Sequence, residues 1–355
     1  MRITPPFPFS FSRARVPKAH NVRAASRILM ECSKCGTPAV TLIRYSGQHL
    51  CGDHFRAFVE RRVKRELHRQ VDLRGGGRIA VGLSGGKDSS TTTVLLHDIL
   101  SPRRDVELVA VTVDEGIASY RPEGIRLAQD LCRGLGIEHR VVRYEDTVGW
   151  RMDEVVAADP EAIPCSYCGV FRRNALNLAA REVAADYVAT GLNLDDTAQS
   201  ILMNVARGDV EKLARLGPHA RAQPGLVPRL QPLRSVPDKE VYLYAILRGI
   251  RFHDGACPYA ERAQRGRFRE VVNRLEADAP GTRHAIVRGY DRLRPAITGQ
   301  FPPVPLDECA SCGEPTAGLL CKVCELRARL GTLAGSAAPR AVGASEEGGG
   351  RDAGA

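Results

Sequence analysis

From residue 78 to residue 207, short apolar runs alternate with longer stretches in which apolar residues recur every three or four positions. The runs 78–83, 106–113, 138–142 and 187–190 read as strands, and the stretches at about 87–100, 122–134, 171–185 and 196–207 read as helices. Helical periodicity returns near 239–249 and 261–277. Strands that alternate with helices in this way build a parallel sheet with helices on both faces, a doubly wound α/β architecture. Ligands of such sheets bind beyond the carboxyl ends of the strands. Ahead of this block, Val59, Val63, Leu67 and Val71 recur every four residues in a helix of about fifteen residues. Arg61, Arg62, Lys64, Arg65 and Arg69 fall mostly off that stripe, as a solvated face or as a contact for RNA. Gly75-Gly76-Gly77 reads as a hinge into the sheet.

A chain of 355 residues has room for one large domain and small appendages. No run of about eighteen apolar residues occurs, so no membrane span is expected. The net charge of +10 is concentrated partly in residues 1–29, which hold basic residues and no acid. The remaining excess is mild and permits a polyanionic partner without requiring one. Residues 1–29 show no periodicity and are expected to be a disordered or non-native leader, with Met30 as the functional start; their composition also suits a targeting peptide. Residues 331–355, rich in Ala and Gly, are expected to be a disordered tail. The chain has 11 cysteines with no apolar signal core ahead of them, which points to metal sites in a cytoplasmic protein rather than to disulfides.

After the first strand comes Ser84-Gly85-Gly86-Lys87-Asp88-Ser89, opening a helix. Two glycines let the backbone approach an anion, and the amides of the loop and helix start then point at phosphate oxygens. Ser84 and Ser89 add hydroxyls and Lys87 adds a charge. The spacing departs from the GxxxxGK[ST] loop of kinase-like NTPases. It resembles the PP-loop of N-type ATP pyrophosphatases, which cleave between the α- and β-phosphates. In that group the end of the second strand, here Val113 and Asp114, holds the nucleotide; Asp114 is equally suited to a turn or cap.

Cys32, Cys35, Cys51 and His54 form a CxxC…CxxH set, and Cys309, Cys312, Cys321 and Cys324 a CxxC…CxxC set. Paired dyads of this kind suit tetrahedral structural zinc, which folds lobes too small to have a core of their own. Cys165, Cys168 and Cys257 are less determinate. By spacing they fit a redox pair, part of a zinc site, or an iron–sulfur cluster with one open iron. The CxxC at 165–168 is expected to precede the helix that starts near 171.

Together these motifs resemble the TtuA-type tRNA 2-thiouridine synthetases, kin of the cytosolic thiouridylase subunit. The resemblance runs from about residue 31 to 330. It rests on a knuckle at each end, SGGKDS at 84–89, CSYCGVFRR at 165–173, TGLNLDD at 190–196, Arg207-Gly208-Asp209, Cys257-Pro258-Tyr259 and Pro280-Gly281-Thr282-Arg283-His284. One departure is Leu192, where the family usually has His. The resemblance implies a PP-loop domain over 76–300, a basic linker helix and hinge over 57–75, and zinc fingers at 30–56 and 301–330. It implies a 4Fe-4S cluster on Cys165, Cys168 and Cys257 whose open iron holds sulfide, and two Zn2+. It places Arg172, Gly191 and Asp196 at the nucleotide, with Lys87, Asp196 and Arg172 as candidate catalytic residues and Asp196 positioning Mg2+ or moving a proton. ATP would adenylate the 2-oxo group of a tRNA uridine, with sulfur delivered by a ubiquitin-like thiocarboxylated carrier to a homodimeric enzyme.

Three other readings compete. One is a PP-loop enzyme that makes amides or lysine-modified bases without a cluster. A second is cytidine 2-thiolation, whose enzymes lack the terminal knuckles. The third is a zinc-knuckle RNA-binding protein with an inactive nucleotide fold, against which the intact Lys87-Asp88-Ser89 argues.

Overall fold

The computed structural model describes residues 30–219, 223–262 and 265–334. The expected leader and most of the expected tail lie outside these. The elements follow in the order β1 (Thr41–Ile43), β2 (Gln48–Leu50), α1 (Gly52–Gln70), β3 (Gly77–Gly82), α2 (Lys87–Leu100), β4 (Val106–Asp114), α3 (Arg121–Leu135), β5 (Glu138–Arg143), α4 (Tyr144–Val148), α5 (Met152–Ala158) and α6 (Pro164–Glu182). Next come β6 (Tyr187–Ala189), α7 (Leu194–Ala206), α8 (Val210–Ala214), β7 (Arg229–Leu230), α9 (Asp238–Leu247), a 3-10 turn (Ala260–Arg262), α10 (Arg265–Asp278), α11 (Thr282–Gln300), β8 (Asp307–Glu308), β9 (Pro315–Thr316) and α12 (Lys322–Leu333).

The central sheet has five strands in the order β5-β4-β3-β6-β7, all parallel. The first strand, β3, therefore lies mid-sheet, and the chain runs to one side of it and then to the other. This reversal falls between β3 and β6, and doubly wound sheets bind ligands beyond the carboxyl ends of the strands at such a point. Along β3 the side chains alternate. Ile79 and Val81 pack with Leu67, Leu96 and Leu100 of α1 and α2, while Ala80 packs with Ala179 and Ala180 of α6. Both faces are thus buried, which is why the strand reads as an unbroken apolar run.

The helix α2 carries Thr91, Thr92 and Thr93, poor helix formers, fully buried. Two of their hydroxyls return to the helix: Thr92 Oγ1 donates to the Asp88 carbonyl at 2.8 Å and Thr93 Oγ1 to the Ser89 carbonyl at 2.9 Å. The helix α3 starts with Pro122 in its first turn and stops at Gly136, whose φ of 68° is the left-handed C-cap that glycine adopts without cost.

Each terminal knuckle is a short hairpin followed by a helix whose N-cap is a cysteine of the second dyad: Cys51 for α1 and Cys321 for α12. The first knuckle packs Ile43, Leu50 and Phe55 against Val94, Leu95 and Tyr244 of the main domain. The second packs Val323 and Leu330 against Tyr144, Tyr167 and Phe171.

Three expectations shift. The helix α6 starts at Pro164, so Cys165 and Cys168 lie in its first turns rather than ahead of it; the proline at the first helical position is preorganised for that start. The helix α12 runs to Leu333, past the boundary set for the tail, because Leu330 is buried and anchors it. The helix expected from 261 is a 3-10 turn followed by α10 from Arg265. Among the described residues, no helix is long and apolar enough to cross a membrane.

Candidate active site and metal centres

The phosphate loop turns sharply out of β3. Gly85 has φ +79°, and a Cβ there would lie 2.1 Å from the Gly124 carbonyl oxygen, so only glycine fits. The Ser89 hydroxyl accepts from the Ser84 amide at 3.0 Å and donates to the Gly86 carbonyl at 3.0 Å. The two serines therefore hold the loop closed, and the first-turn amides of α2, which have no acceptor within the helix, could bind an anion.

Two further segments close on this loop. Gly191 crosses the first turn of α2 so tightly that a Cβ would lie 2.8 Å from the Ser89 nitrogen. On the other side, the His253 amide donates to the Gly85 carbonyl at 2.8 Å, and Gly86 and His253 form a parallel bridge. The chain reaches Cys257 four residues later, so the phosphate loop and the third cysteine share one backbone junction.

Lys87 Nζ sits 2.7 Å from Asp88 Oδ2 and 2.6 Å from Asp238 Oδ1. Burial disfavours its charge, but the two carboxylates outweigh it and hold the ammonium above its usual range. Asn193 Nδ2 donates to Asp88 Oδ1 at 3.0 Å and to Asp238 Oδ1 at 3.2 Å. Asn193 also caps α7 by accepting from the Asp196 amide. Burial pushes the Asp196 carboxyl up; Asp88 and Asp238 add to this and Arg265, at 3.3 Å, opposes it. Asp195 accepts from the Asp238 amide at 2.8 Å and pairs with buried Arg283 at 2.8 Å. The PGTRH segment thus braces the acid that meets Lys87.

The Asp114 side chain accepts from the Gly116 amide at 2.9 Å, the turn role open to it, and buried Val113 gives its carbonyl to Arg121 Nη2 at 2.9 Å. Arg172 lies on the cysteine side. Its Nη2 donates to Cys168 Sγ at 3.1 Å and its Nε to Glu115 Oε1 at 2.9 Å. Tyr144 Oη donates to the Cys168 carbonyl at 2.9 Å. Tyr167, between the two cysteines of the motif, donates to Asp159 at 2.7 Å, and Asp159 pairs with Arg329 of α12 at 2.8 Å. Leu192 is 39% exposed beside the loop.

Sequence reasoning missed Asp238, Asn193, Arg265, Glu115 and Arg121. Asn193 is readable as a capping-box residue with Asp196, and Glu115 stands next to Asp114; Asp238, Arg265 and Arg121 carry no local signal.

The ligand atoms of Cys32, Cys35, Cys51 and His54 all lie within 4.8 Å of one another, as do those of Cys309, Cys312, Cys321 and Cys324. Cys35 and Cys51 sulfurs are 3.7 Å apart and Cys312 and Cys321 sulfurs 3.5 Å apart. Zinc with bonds of about 2.3 Å to sulfur brings ligands to such separations. Among the described residues no other group of three or more ligands gathers so closely. The sulfurs of Cys165, Cys168 and Cys257 do not all lie within 4.8 Å of one another. Burial pushes the Cys165 and Cys168 thiols up; Cys257 adds to this at Cys165 and Arg172 opposes it at both. One exposed and two half-buried thiols with a cation at one sulfur could hold an iron–sulfur cluster with an open iron.

A family model described as the PP-loop domain matches residues 59–276. One described as the N-terminal LIM domain of the 2-thiouridine synthetase TtuA matches residues 31–56. The tRNA 2-thiolation protein NcsA of Haloferax volcanii is 42% identical over 314 residues, 84% of this chain and 98% of that protein. The tRNA-5-methyluridine(54) 2-sulfurtransferase of Pyrococcus horikoshii is 32% identical over 296 residues, 83% of this chain and 93% of that enzyme. The solved structure of the U34-tRNA thiolase NcsA from Methanococcus maripaludis with its 4Fe-4S cluster is 38% identical, with a TM-score of 0.75 over 85% of this chain and 97% of that one. The motif order, the parallel sheet and these matches agree: the chain belongs to the PP-loop tRNA 2-thiolation family of the TtuA and NcsA type.

Proposed function

We propose that the chain is a tRNA 2-thiouridine synthetase that uses ATP to replace the 2-oxo group of a tRNA uridine with sulfur. The observation that carries this reading is the junction at His253: one backbone bond joins the phosphate loop to the segment bearing Cys257. This bond supports a reading in which ATP chemistry and cysteine chemistry are neighbours.

The uridine carbonyl oxygen is a poor leaving group. In the reading offered here it attacks the α-phosphate of ATP, and pyrophosphate departs. The amides at the start of α2, with Lys87, Gly85 and Gly86, bind the β- and γ-phosphates and stabilise the charge that grows on them. Two of the three N–H donors of Lys87 lie on Asp88 and Asp238, which leaves one for a phosphate oxygen, and these carboxylates would be the ones to hold Mg2+. Asp196, with its carboxyl pushed up by burial, would position that ion or take a proton from the base. Val113, Asp114 and Gly191 wall the nucleotide. Cys165, Cys168 and Cys257 would hold a 4Fe-4S cluster, which would supply an open iron as the binding site for sulfide. Sulfur then takes the place of the adenylate oxygen and AMP leaves.

The two knuckles hold one Zn2+ each. A ubiquitin-like carrier ending in a thiocarboxylate supplies sulfur, two copies of the chain assemble, and the enzyme works in the cytoplasm. The base must leave its stack to reach the site, which favours a loop uridine. Higher identity to the NcsA proteins than to the uridine-54 enzyme favours uridine 34. The test is isotopic: tRNA carrying oxygen-18 at uridine C2 should yield AMP labelled with oxygen-18. Unlabelled AMP alongside thiouridine would sink the adenylation step.

A further inference from the structure

The geometry points to Glu115 as a positioning residue that aims Arg172 at the sulfur of Cys168 and ties that arrangement to the phosphate loop, so that nucleotide binding is felt at the cluster. This rests on the assignment of the cluster to Cys165, Cys168 and Cys257.

Glu115 follows β4 and its side chain is only 4% exposed. Both oxygens are engaged by arginines: Oε1 by Arg172 Nε at 2.9 Å and Oε2 by Arg121 Nε at 2.5 Å. Arg121 is itself buried, at 3% exposure, and donates Nη1 to the Ser84 carbonyl at 3.3 Å and Nη2 to the Val113 carbonyl at 2.9 Å. On the other arm, Arg172 Nη2 reaches Cys168 Sγ at 3.1 Å. The chain Ser84, Arg121, Glu115, Arg172, Cys168 thus runs unbroken from the first residue of the phosphate loop to a cluster cysteine.

The burial pattern assigns the roles. Arg121 is buried and cannot leave its carboxylate without stranding a charge. The Arg172 side chain is 54% exposed, so water would solvate it in many rotamers. The bond to Glu115 is what keeps its guanidinium against sulfur. A cation there favours the more negative, reduced form of the cluster and raises its potential. At the other end, phosphates that draw in the loop backbone shift the Ser84 carbonyl, to which Arg121 is bonded. Glu115 then carries that shift to Arg172.

The test uses the full chain, reconstituted anaerobically with iron and sulfide, and reads the cluster's midpoint potential by electron paramagnetic resonance with and without a non-hydrolysable ATP analogue. Arg172→Gln should lower the potential, and Arg172→Lys should restore most of it. Glu115→Gln should abolish the shift caused by the analogue, while the analogue still binds. Should Glu115→Gln fail to fold because Arg121 is left unpaired, the exposed Arg172→Gln carries the test alone through the potential and the analogue response. A potential and response unchanged in Arg172→Gln would overturn the inference and leave the proposed function standing. A parent chain that assembles no cluster would overturn both.

Discussion

Gly191→Ala isolates the packing of the candidate site from its chemistry. A Cβ at 191 would lie 2.8 Å from the Asp88 carbonyl carbon and 2.8 Å from the Ser89 nitrogen, both backbone atoms of the first turn of α2. Backbone on both sides cannot swing away, so one segment must move. Forcing a methyl into such a place costs about 1–3 kcal/mol. If the strain stays in the folded state, the melting temperature falls by roughly 2–12 °C for a domain of this size. If the 190–196 segment lifts off instead, the loss appears at the phosphate loop as a weaker ATP complex, by roughly 5- to 150-fold. Calorimetric melting and ATP titration of the same sample separate the two. Gly289→Ala is the control: it lies inside α11, a methyl added there would meet nothing within 4 Å, and the change should stabilise by about 0.5–1 kcal/mol. A Gly191→Ala protein that melts and binds ATP like the parent would refute the close crossing of these segments.

Other outcomes follow from the same structure. Arg62 and Glu240 form a buried pair at 2.8 Å, with Tyr45 of the first knuckle on the same carboxylate, so Glu240→Gln should cost about 3–5 kcal/mol in urea unfolding, and an apolar double replacement should recover much of it. Burial, with Arg62 adding, holds His284 down to about 4 from 6.5, so between those values only the unfolded chain takes up its proton. Stability should therefore fall as pH drops from 6.5 towards 4, by up to about 3–4 kcal/mol from this group, and His284→Gln should flatten that limb of the urea midpoint against pH. Chelation should release two zinc ions per chain and lower the melting temperature, and Cys51→Ser should leave one releasable ion; a full complement in Cys51→Ser would contradict the assignment of the first knuckle.

The parts of the fold that can be read from sequence are those with a local cause. Strands β3 and β4 are buried on both faces, so their residues announce themselves as apolar runs. The knuckles are legible because a tetrahedral metal site requires ligands spaced over a few residues, and the phosphate loop because glycine is required where the backbone approaches Gly124. Strand β7, Arg229–Leu230, is too short to carry a period, and α11 contains Pro295, which masks its helical pattern. The apolar period places the start of α6 too late, because Cys165, Ser166 and Cys168 interrupt it while Pro164 sets the true start. The partners that organise the site come from afar. Asp238 reaches Lys87 across 151 positions and Arg172 reaches Glu115 across 57, and a lone charged residue carries no sign of such a partner. The basic face of α1 is also only partly legible: Arg62 belongs to the buried pair, whereas Arg61, Lys64 and Arg65 stay exposed on the outer face.

The most direct measurement is thiouridine formation in tRNA by the anaerobically reconstituted protein, with ATP and a sulfide source, read by nuclease digestion and mass spectrometry. The parent should form thiouridine, and Lys87→Ala and Cys257→Ala should each abolish it while still binding tRNA. Thiouridine that persists in Cys257→Ala would contradict a cluster as the route for sulfur, and a parent that binds tRNA, carries a verified cluster and forms none would contradict thiolation itself.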